Sequence, residues 1–435
     1  MSSITVAVLV LGLLLLLLVI RIPIALALIA SAMTGIGILR GFDTVWTTVA
    51  KLPYDFAAHW SLSAIPMFLL MGSIAFNGGL TASLFDACRL WMGRLPGGLA
   101  LAANFACAMF AAASGSSVAT SAAMARIAVP EMLKSNYDPG LATGVVAAAG
   151  TIGAMIPPSI AFIIYGWYTG QPIKLLLIAG ILPGILTAVI YSIFIIARVK
   201  MNPALAPQLT YRPTEAEKVR ALIAIWPIPV LISIVIGSMY SGIATATEAG
   251  AIGSACALVI CAFRGNLTFR MLRDSIGDAT SSTVIIMIIA VGASLLAKFL
   301  ALSGMPQAMG GWVVDHSVSA SSVLAFTIIL YLILGMFLDP IGIMLVTLPV
   351  LLPMFEALDL NLIWMGVLIV KLIEIGLLTP PVGLNIYVVK GVMGDQVKVE
   401  TIFKGAFLFL AAEVVITGLL IAFPSISLVL PNAIR

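Results

Sequence analysis

The sequence predicts an all-α polytopic membrane protein of two inverted repeats, with about ten transmembrane spans, two re-entrant helical hairpins and two broken helices. Three observations carry this. The 435 residues are 62% hydrophobic and 9% charged, which excludes a soluble globular domain. The motif Gly153-Ala154-Met155-Ile156-Pro157-Pro158 returns as Gly376-Leu377-Leu378-Thr379-Pro380-Pro381, 223 positions later, and the same offset relates Pro130 to Pro353 and Phe76 to Phe299. The loop charges then give the two copies opposite orientations.

Each Gly-x-x-x-Pro-Pro lies within an apolar run long enough to cross a bilayer. Two prolines remove amide donors and end a helix, and hydrocarbon cannot satisfy the freed carbonyls, so each break must face protein, ions or water. A single such break also reads as a simple kink; the matched repeat favours a built site. Apolar runs of 17 to 30 residues recur along the chain, whereas a membrane barrel shows short alternating segments. The longest polar stretch, about 198–220, is too short to fold alone, so the chain holds no nucleotide-driven engine. Cys88, Cys107, Cys256 and Cys261 lack metal or disulfide spacing and read as packing residues. The net charge of +4 is dispersed over loops and gives no basis for a nucleic-acid partner.

Runs at about 5–20 and 22–40 flank Arg21; the first has no positive leader or cleavage signal and reads as a retained span. A mixed segment with Lys51, Asp55, His59 and Trp60 belongs at the interface, and a third span covers about 62–78. The run from Gly97 to Leu133 is split by Ser114-Gly115-Ser116-Ser117 into two arms of about 17 residues, flanked by Arg94 and Lys134, and reads as a hairpin entering from the cytoplasmic side. The first broken helix takes about 140–168 and a span at 172–196 returns.

The loop from Arg198 to Arg220 carries five basic residues, Arg212 among them, and two acidic ones, which places it in the cytoplasm. Spans at about 221–240 and 247–263 lead to a second basic loop with Arg264, Arg270 and Arg273, and a span at about 278–300 crosses outward. A second split run, Ser321 to Phe355, is divided at Asp339-Pro340 and flanked by acidic residues, so it enters from the opposite side. The second broken helix takes about 361–389, and a last run at about 401–430 leaves both termini outside. An alternative reading turns each hairpin arm into a tilted span, giving fourteen crossings. The organisation expected is 1–96 scaffold and interfacial segment, 97–170 first hairpin and broken helix, 171–303 central scaffold spans, 304–395 second hairpin and broken helix, and 396–435 a final span.

Each hairpin tip, Ser114–Ser117 or Gly335–Pro340, can meet its own broken helix near the midplane. Carbonyl oxygens at an unwound turn suit a small hard cation such as Na+, and helix N-termini favour an anionic group, so two ion sites and a carboxylate are expected. Gly153 and Gly376 permit close backbone approach, Pro157 and Pro380 free carbonyls, and Thr379 adds a hydroxyl. Charges within apolar runs are costly and therefore informative: Arg126, Lys371, Glu374 and Glu248. Lys371 and Glu374, three apart, are expected to neutralise each other. Arg126 either snorkels to the cytoplasmic face or faces the cavity and attracts a carboxylate. Asp339 either serves a ligand or caps the second arm of its hairpin. His59 and His316 stand alone, no phosphate loop is present, and Ser114-Gly115-Ser116 lacks the base an intramembrane hydrolase needs.

Ser114-Gly115-Ser116, Gly153 to Ser159, Gly242 to Ala249, Leu334 to Asp339 and Glu374 to Asn385 together resemble the large membrane subunit (permease, DctM-like) of tripartite ATP-independent periplasmic (TRAP) transporters. The resemblance spans nearly the whole chain, with Ala246 standing where the family usually has proline. It implies a Na+-coupled secondary transporter of the bacterial inner membrane, not an enzyme, in which hairpins and broken helices move as an elevator against a scaffold. It also implies an organic-acid substrate, a periplasmic solute-binding protein and a separate small four-helix membrane subunit, with no cofactor beyond Na+ as coupling ion. Carried over by position, one Na+ site resembles Ser114, Gly153, Ile156 and Pro157, and the other Gly335, Gly376, Thr379 and Val382; Ile156 and Val382 come from the resemblance alone. Ser116, Ser159, Asp339, Asn385 and Arg126 are the expected substrate contacts. A self-sufficient sodium/dicarboxylate-type carrier and an ion channel are the competing readings.

Overall fold

The computed structural model describes residues 2–208 and 213–434, and Arg212 of the basic loop lies outside them. The described residues form helices and connecting turns, without strands. Helices α1 (Ser3–Val19) and α2 (Ile24–Arg40) form an antiparallel pair turned at Arg21, whose φ is 66°. The mixed segment folds as an amphipathic helix, α3 (Phe42–Ala57), which buries Val45 and Phe56 and exposes Phe42, Trp46 and Tyr54, the side chains suited to a membrane interface. Helix α4 (Ala64–Asn77) follows, then α5 (Leu80–Met92), which the apolar runs did not announce because Asp86 and Arg89 interrupt them.

The first split run is a helical hairpin, α6 (Gly98–Ser114) and α7 (Ser117–Lys134). The first broken helix is α8 (Pro139–Gly150), a tight turn at Thr151–Ala154 and α9 (Ile160–Thr169). Next come α10 (Ile173–Ala179), α11 (Ile181–Met201), α12 (Glu215–Ala224), α13 (Pro227–Tyr240) and α14 (Ala246–Phe263). Helices α12 and α14 begin on capping boxes, Thr214 with Glu217 and Thr245 with Glu248, so Glu248 serves an exposed helix start rather than an apolar interior. Helix α15 (Phe269–Ser303) has 35 residues, about 52 Å at 1.5 Å per residue, and is longer than a hydrocarbon core of about 30 Å.

Helix α16 (Met305–Asp315) precedes the second hairpin, α17 (Ala320–Gly335) and α18 (Pro340–Ala357). The second broken helix is α19 (Leu362–Gly376) and α20 (Leu384–Met393). The final run is two helices: α21 (Val399–Ala422), long and apolar enough to cross a bilayer, stops at Phe423-Pro424 and α22 (Ser425–Asn432) follows. Six helical stretches among the described residues have the length and apolarity to cross a bilayer, among them α18, a hairpin arm.

Two groups of helices pack tightly. Helices α2, α4, α14 and α15 form one. Small residues set their spacing: a Cβ on Gly35 would stand 2.4 Å from the Phe299 ring, and one on Gly292 would stand 2.9 Å from Leu28 Cβ. The other group gathers α6, α7, α8, α11, α19 and α21. There a Cβ on Gly144 would lie 2.4 Å from the Gly405 carbonyl carbon, so α8 and α21 touch through backbone.

A buried polar network crosses this second group and corrects one expectation. Lys371 does not pair with Glu374; its Nζ lies 2.7 Å from a Glu413 carboxylate oxygen on α21, with both side chains fully buried, and donates to Thr187 Oγ1 on α11 at 3.1 Å. Tyr191 of α11 also donates to Glu413. Asn104 of α6 donates to Ala188 O (2.8 Å) and Ser192 Oγ (3.0 Å) on the same α11. Residues three apart share a helix face, so Glu374 is within reach of Lys371 by sequence, and the closer approach of Glu413 decides its partner.

Removing one member of a buried, hydrogen-bonded pair leaves an uncompensated charge. Glu413→Ala is expected to cost about 3–5 kcal/mol, read as a lower unfolding temperature in detergent, whereas Lys371→Met with Glu413→Leu recovers most of that loss. Unfolding of Glu413→Ala at the wild-type temperature would deny the pair its role in joining α19 to α21.

Candidate functional site

A cavity of about 530 Å³ lies where the two hairpin tips and the two helix breaks converge. Its floor is the first tip, Ser114 to Ser117, the second tip around Asp339, and Glu374 near the end of α19; Phe76 of α4 and Asp278 and Ser281 of α15 form its opposite wall.

The first tip is a tight reversal between α6 and α7. Gly115 has φ 64°, and a Cβ there would meet Pro158 O at 2.5 Å, so glycine is required both by conformation and by contact with the break. Ile160 N donates to Gly115 O at 3.3 Å, which ties the start of α9 to the tip. Ser114 Oγ and Thr120 Oγ1 lie 2.7 Å apart, and Thr120 Oγ1 donates to Ser116 O at 2.9 Å. Gly153 faces this cluster: a Cβ on it would stand 2.7 Å from Thr120 Oγ1 and 2.8 Å from Ser116 O. Hydroxyl and carbonyl oxygens therefore crowd against a bare stretch of backbone. The side chain of Ile156 packs against Gly184 and that of Pro157 borders Ile178 and Val235, so neither lines the cavity.

The second tip is built the same way. Gly335 and Gly376 meet backbone to backbone: a Cβ on Gly376 would stand 2.5 Å from Gly335 Cα. Asp339 caps the second arm of its hairpin, its Oδ2 accepting from Ile341 N and Gly342 N at 3.1 Å, and it borders the cavity. Thr379 Oγ1 donates to Ile375 O at 2.8 Å. The two breaks differ in setting: Pro157 and Pro158 are buried, whereas Pro380, Pro381 and Val382 are exposed.

Of the expected substrate contacts, Ser116, Asp339 and Arg126 line the cavity and Ser159 and Asn385 do not. Ser159 is buried, donating to Ala154 O (2.5 Å) and accepting from Phe162 N (3.4 Å) as the cap of α9. Asn385 is buried on α20 beneath the second break. Arg126 is exposed and borders the cavity, with its guanidinium carbon 5.8 Å from the Phe76 ring centroid, a cation–π contact. No group of three His, Cys, Asp or Glu side chains at metal-ligating spacing occurs among the described residues. Thr120, Phe76, Asp278 and Glu374 join the site without having been expected there. Asp278, Ser281 and Ser282 follow helical i, i+3, i+4 spacing, and that polar stripe was the available signal.

Chemically, the cavity offers an exposed guanidinium whose charge is not paired with a carboxylate among the described residues, and hydroxyl and carbonyl oxygens. Residues 11–426 match the family model described as "Tripartite ATP-independent periplasmic transporter, DctM component". The chain is 37% identical over 397 residues to the C4-dicarboxylate TRAP transporter large permease protein DctM of Pseudomonas aeruginosa, covering 90% of each chain. It is 30% identical over 374 residues to the isethionate TRAP transporter permease protein DctMQ of Oleidesulfovibrio alaskensis, covering 83% of this chain and 59% of that longer one. Among solved structures, the Alcanivorax borkumensis YdaH transporter shares the fold, with a TM-score of 0.65 at 14% identity, covering 88% of this chain and 89% of that one.

The contact between Gly335 and Gly376 leaves no room for a methyl group. Gly376→Ala is expected to lose about 1–3 kcal/mol of stability through overpacking, measured by thermal unfolding in detergent, while Gly418→Ala, which meets nothing within 4 Å, changes it little. Equal unfolding temperatures for the two variants would contradict this packing.

Proposed function

The chain belongs to the DctM component family of tripartite ATP-independent periplasmic transporters, and from that membership we propose that it is the large membrane subunit of a Na+-coupled secondary transporter importing an organic acid. The observation that carries the reading is the meeting of both hairpin tips and both helix breaks at one cavity that contains Arg126. The guanidinium receives the substrate carboxylate, helped by Ser116 and by the amide ends of α7 and α18. The coupling ions occupy the two turns, one among Ser114, Ser116 O, Thr120 and the carbonyls of Gly153, Ile156 and Pro157, the other between Gly335 and the turn of Gly376, Thr379 and Val382. Hydroxyl and carbonyl donors without a His or Cys suit Na+ over a transition metal.

The moving body in this reading is the two hairpins and broken helices, residues 97–170 and 304–395, extended to α11 and α21 because Lys371, Glu413, Tyr191 and Asn104 bind those helices into it. The scaffold is the group of α2, α4, α14 and α15. Arg264 precedes α15 and Arg270 and Arg273 lie in its first turns, a basic cluster read as cytoplasmic, and Asp278 and Ser281 are the tenth and thirteenth of its 35 residues. The cavity therefore sits toward the cytoplasmic side, as an elevator in its inward state requires. The words "tripartite" and "large permease" in the matching descriptions, and the greater length of the DctMQ relative, support two partners in the bacterial inner membrane and periplasm: a separate small subunit and a solute-binding protein.

Uptake of radiolabelled C4-dicarboxylates and sulfonates into proteoliposomes tests this. Uptake is expected to need an inward Na+ gradient, the small subunit and the binding protein, and Arg126→Ala is expected to lower it about 10- to 100-fold, the worth of one charge-assisted hydrogen bond. Uptake by this chain alone would withdraw the partners and favour the self-sufficient carrier.

A further inference from the structure

We propose that the Glu374 carboxylate is a ligand of a third coupling Na+, held between the first hairpin tip and the end of α19, distinct from the two turn sites. This rests on the Na+-coupled reading above and adds a site to it.

Glu374 is 1% exposed and borders the cavity. One carboxylate oxygen accepts from Ser117 Oγ at 3.1 Å; the other accepts no hydrogen bond among the described residues. A carboxyl withdrawn from water stays charged only beside a positive partner and otherwise takes a proton; Lys371, the nearest cation along its own helix, is hydrogen-bonded to Glu413 and Thr187 instead. Glu413 in turn is occupied by Lys371 and Tyr191, and so cannot hold a cation for Glu374. From the other elements, Arg126 of α7 lies over Phe76, Asp339 caps α18, and Asp278 of α15 accepts from Asn77 Nδ2 at 3.2 Å. The charged groups lining the cavity are thus Arg126 against Asp278, Asp339 and Glu374.

An imported carboxylate adds negative charge to a site already short of positive charge, and the bound cations must make up the difference. Glu374 and Ser117 are the place where one more would do so. Both offer hard oxygens, and the Ser117 hydroxyl can turn to present a lone pair to Na+ in place of donating to the carboxylate. Ser117 belongs to the first hairpin and Glu374 to the second half, so an ion between them joins the two repeats.

The test uses the complete transporter in proteoliposomes, with the charge moved per substrate read from reversal potentials at varied NaCl. For Glu374→Gln, that charge is expected to fall by one, with Na+ dependence and substrate uptake at high Na+ retained. An unchanged charge per substrate would overturn the inference while leaving Na+ coupling intact, whereas a wild-type transporter indifferent to Na+ would defeat the coupled reading itself. If Glu374→Gln does not fold, Ser117→Ala decides: a raised half-saturating Na+ concentration with substrate half-saturation unchanged at saturating Na+ supports the site, and an unchanged one overturns it. A charge per substrate that follows pH and ignores NaCl in the wild type would assign the carboxylate a proton and also overturn it.

Discussion

The structure depends on the constraint that backbone amides and carbonyls inside a membrane must find partners other than lipid. Each of the two proline pairs breaks that rule for its own helix, and the freed groups find partners in the hairpin tip at the first break and within the broken helix at the second. At the first, Gly115 O takes the Ile160 amide and Ser159 caps α9. At the second, the Leu377 carbonyl accepts the Asn385 amide at 3.2 Å, and Gly335 lies against Gly376. The first hairpin thus satisfies an amide of its broken helix, and the second packs against its own through glycine backbone. The same repair brings polar atoms to one cavity, which is why fold and site cannot be separated here.

The second group of helices is consolidated by charge as well as by small residues. The ion pair of Lys371 and Glu413, with Tyr191 and Thr187 around it, lies between α11, α19 and α21 with both charged side chains fully buried. Helix α19 thus both joins its neighbours through Lys371 and presents the Glu374 carboxyl group to the cavity.

The features readable in the sequence are those with local causes. Proline and glycine act on their own backbone, so both breaks and both tips stand where the motifs place them, and basic residues mark the ends of spans without reference to packing. What escaped depends on contacts between distant segments. Lys371 has Glu374 within reach along its helix, and only the fold brings Glu413 closer. Arg126 has two escapes by sequence, and only the fold sets it beside Phe76 at the cavity border. Thr120 is one of many helical hydroxyls until Gly153 is set against it. Helix α5 and the separation of α22 from α21 were missed for a simpler reason, because mixed or continuous apolar patterns do not mark helix ends.

The length of α15 has a practical meaning. It packs on α2 and α4, yet its first turns extend past the apolar layer, where the Arg270 side chain is 92% exposed. One rigid rod thus touches water at one end and the cavity wall at Asp278 farther along. It is a built-in ruler: a spectroscopic label near Arg270 and another on a hairpin would share a fixed zero, and any change in their separation would measure the hairpin's travel rather than tumbling of the whole molecule.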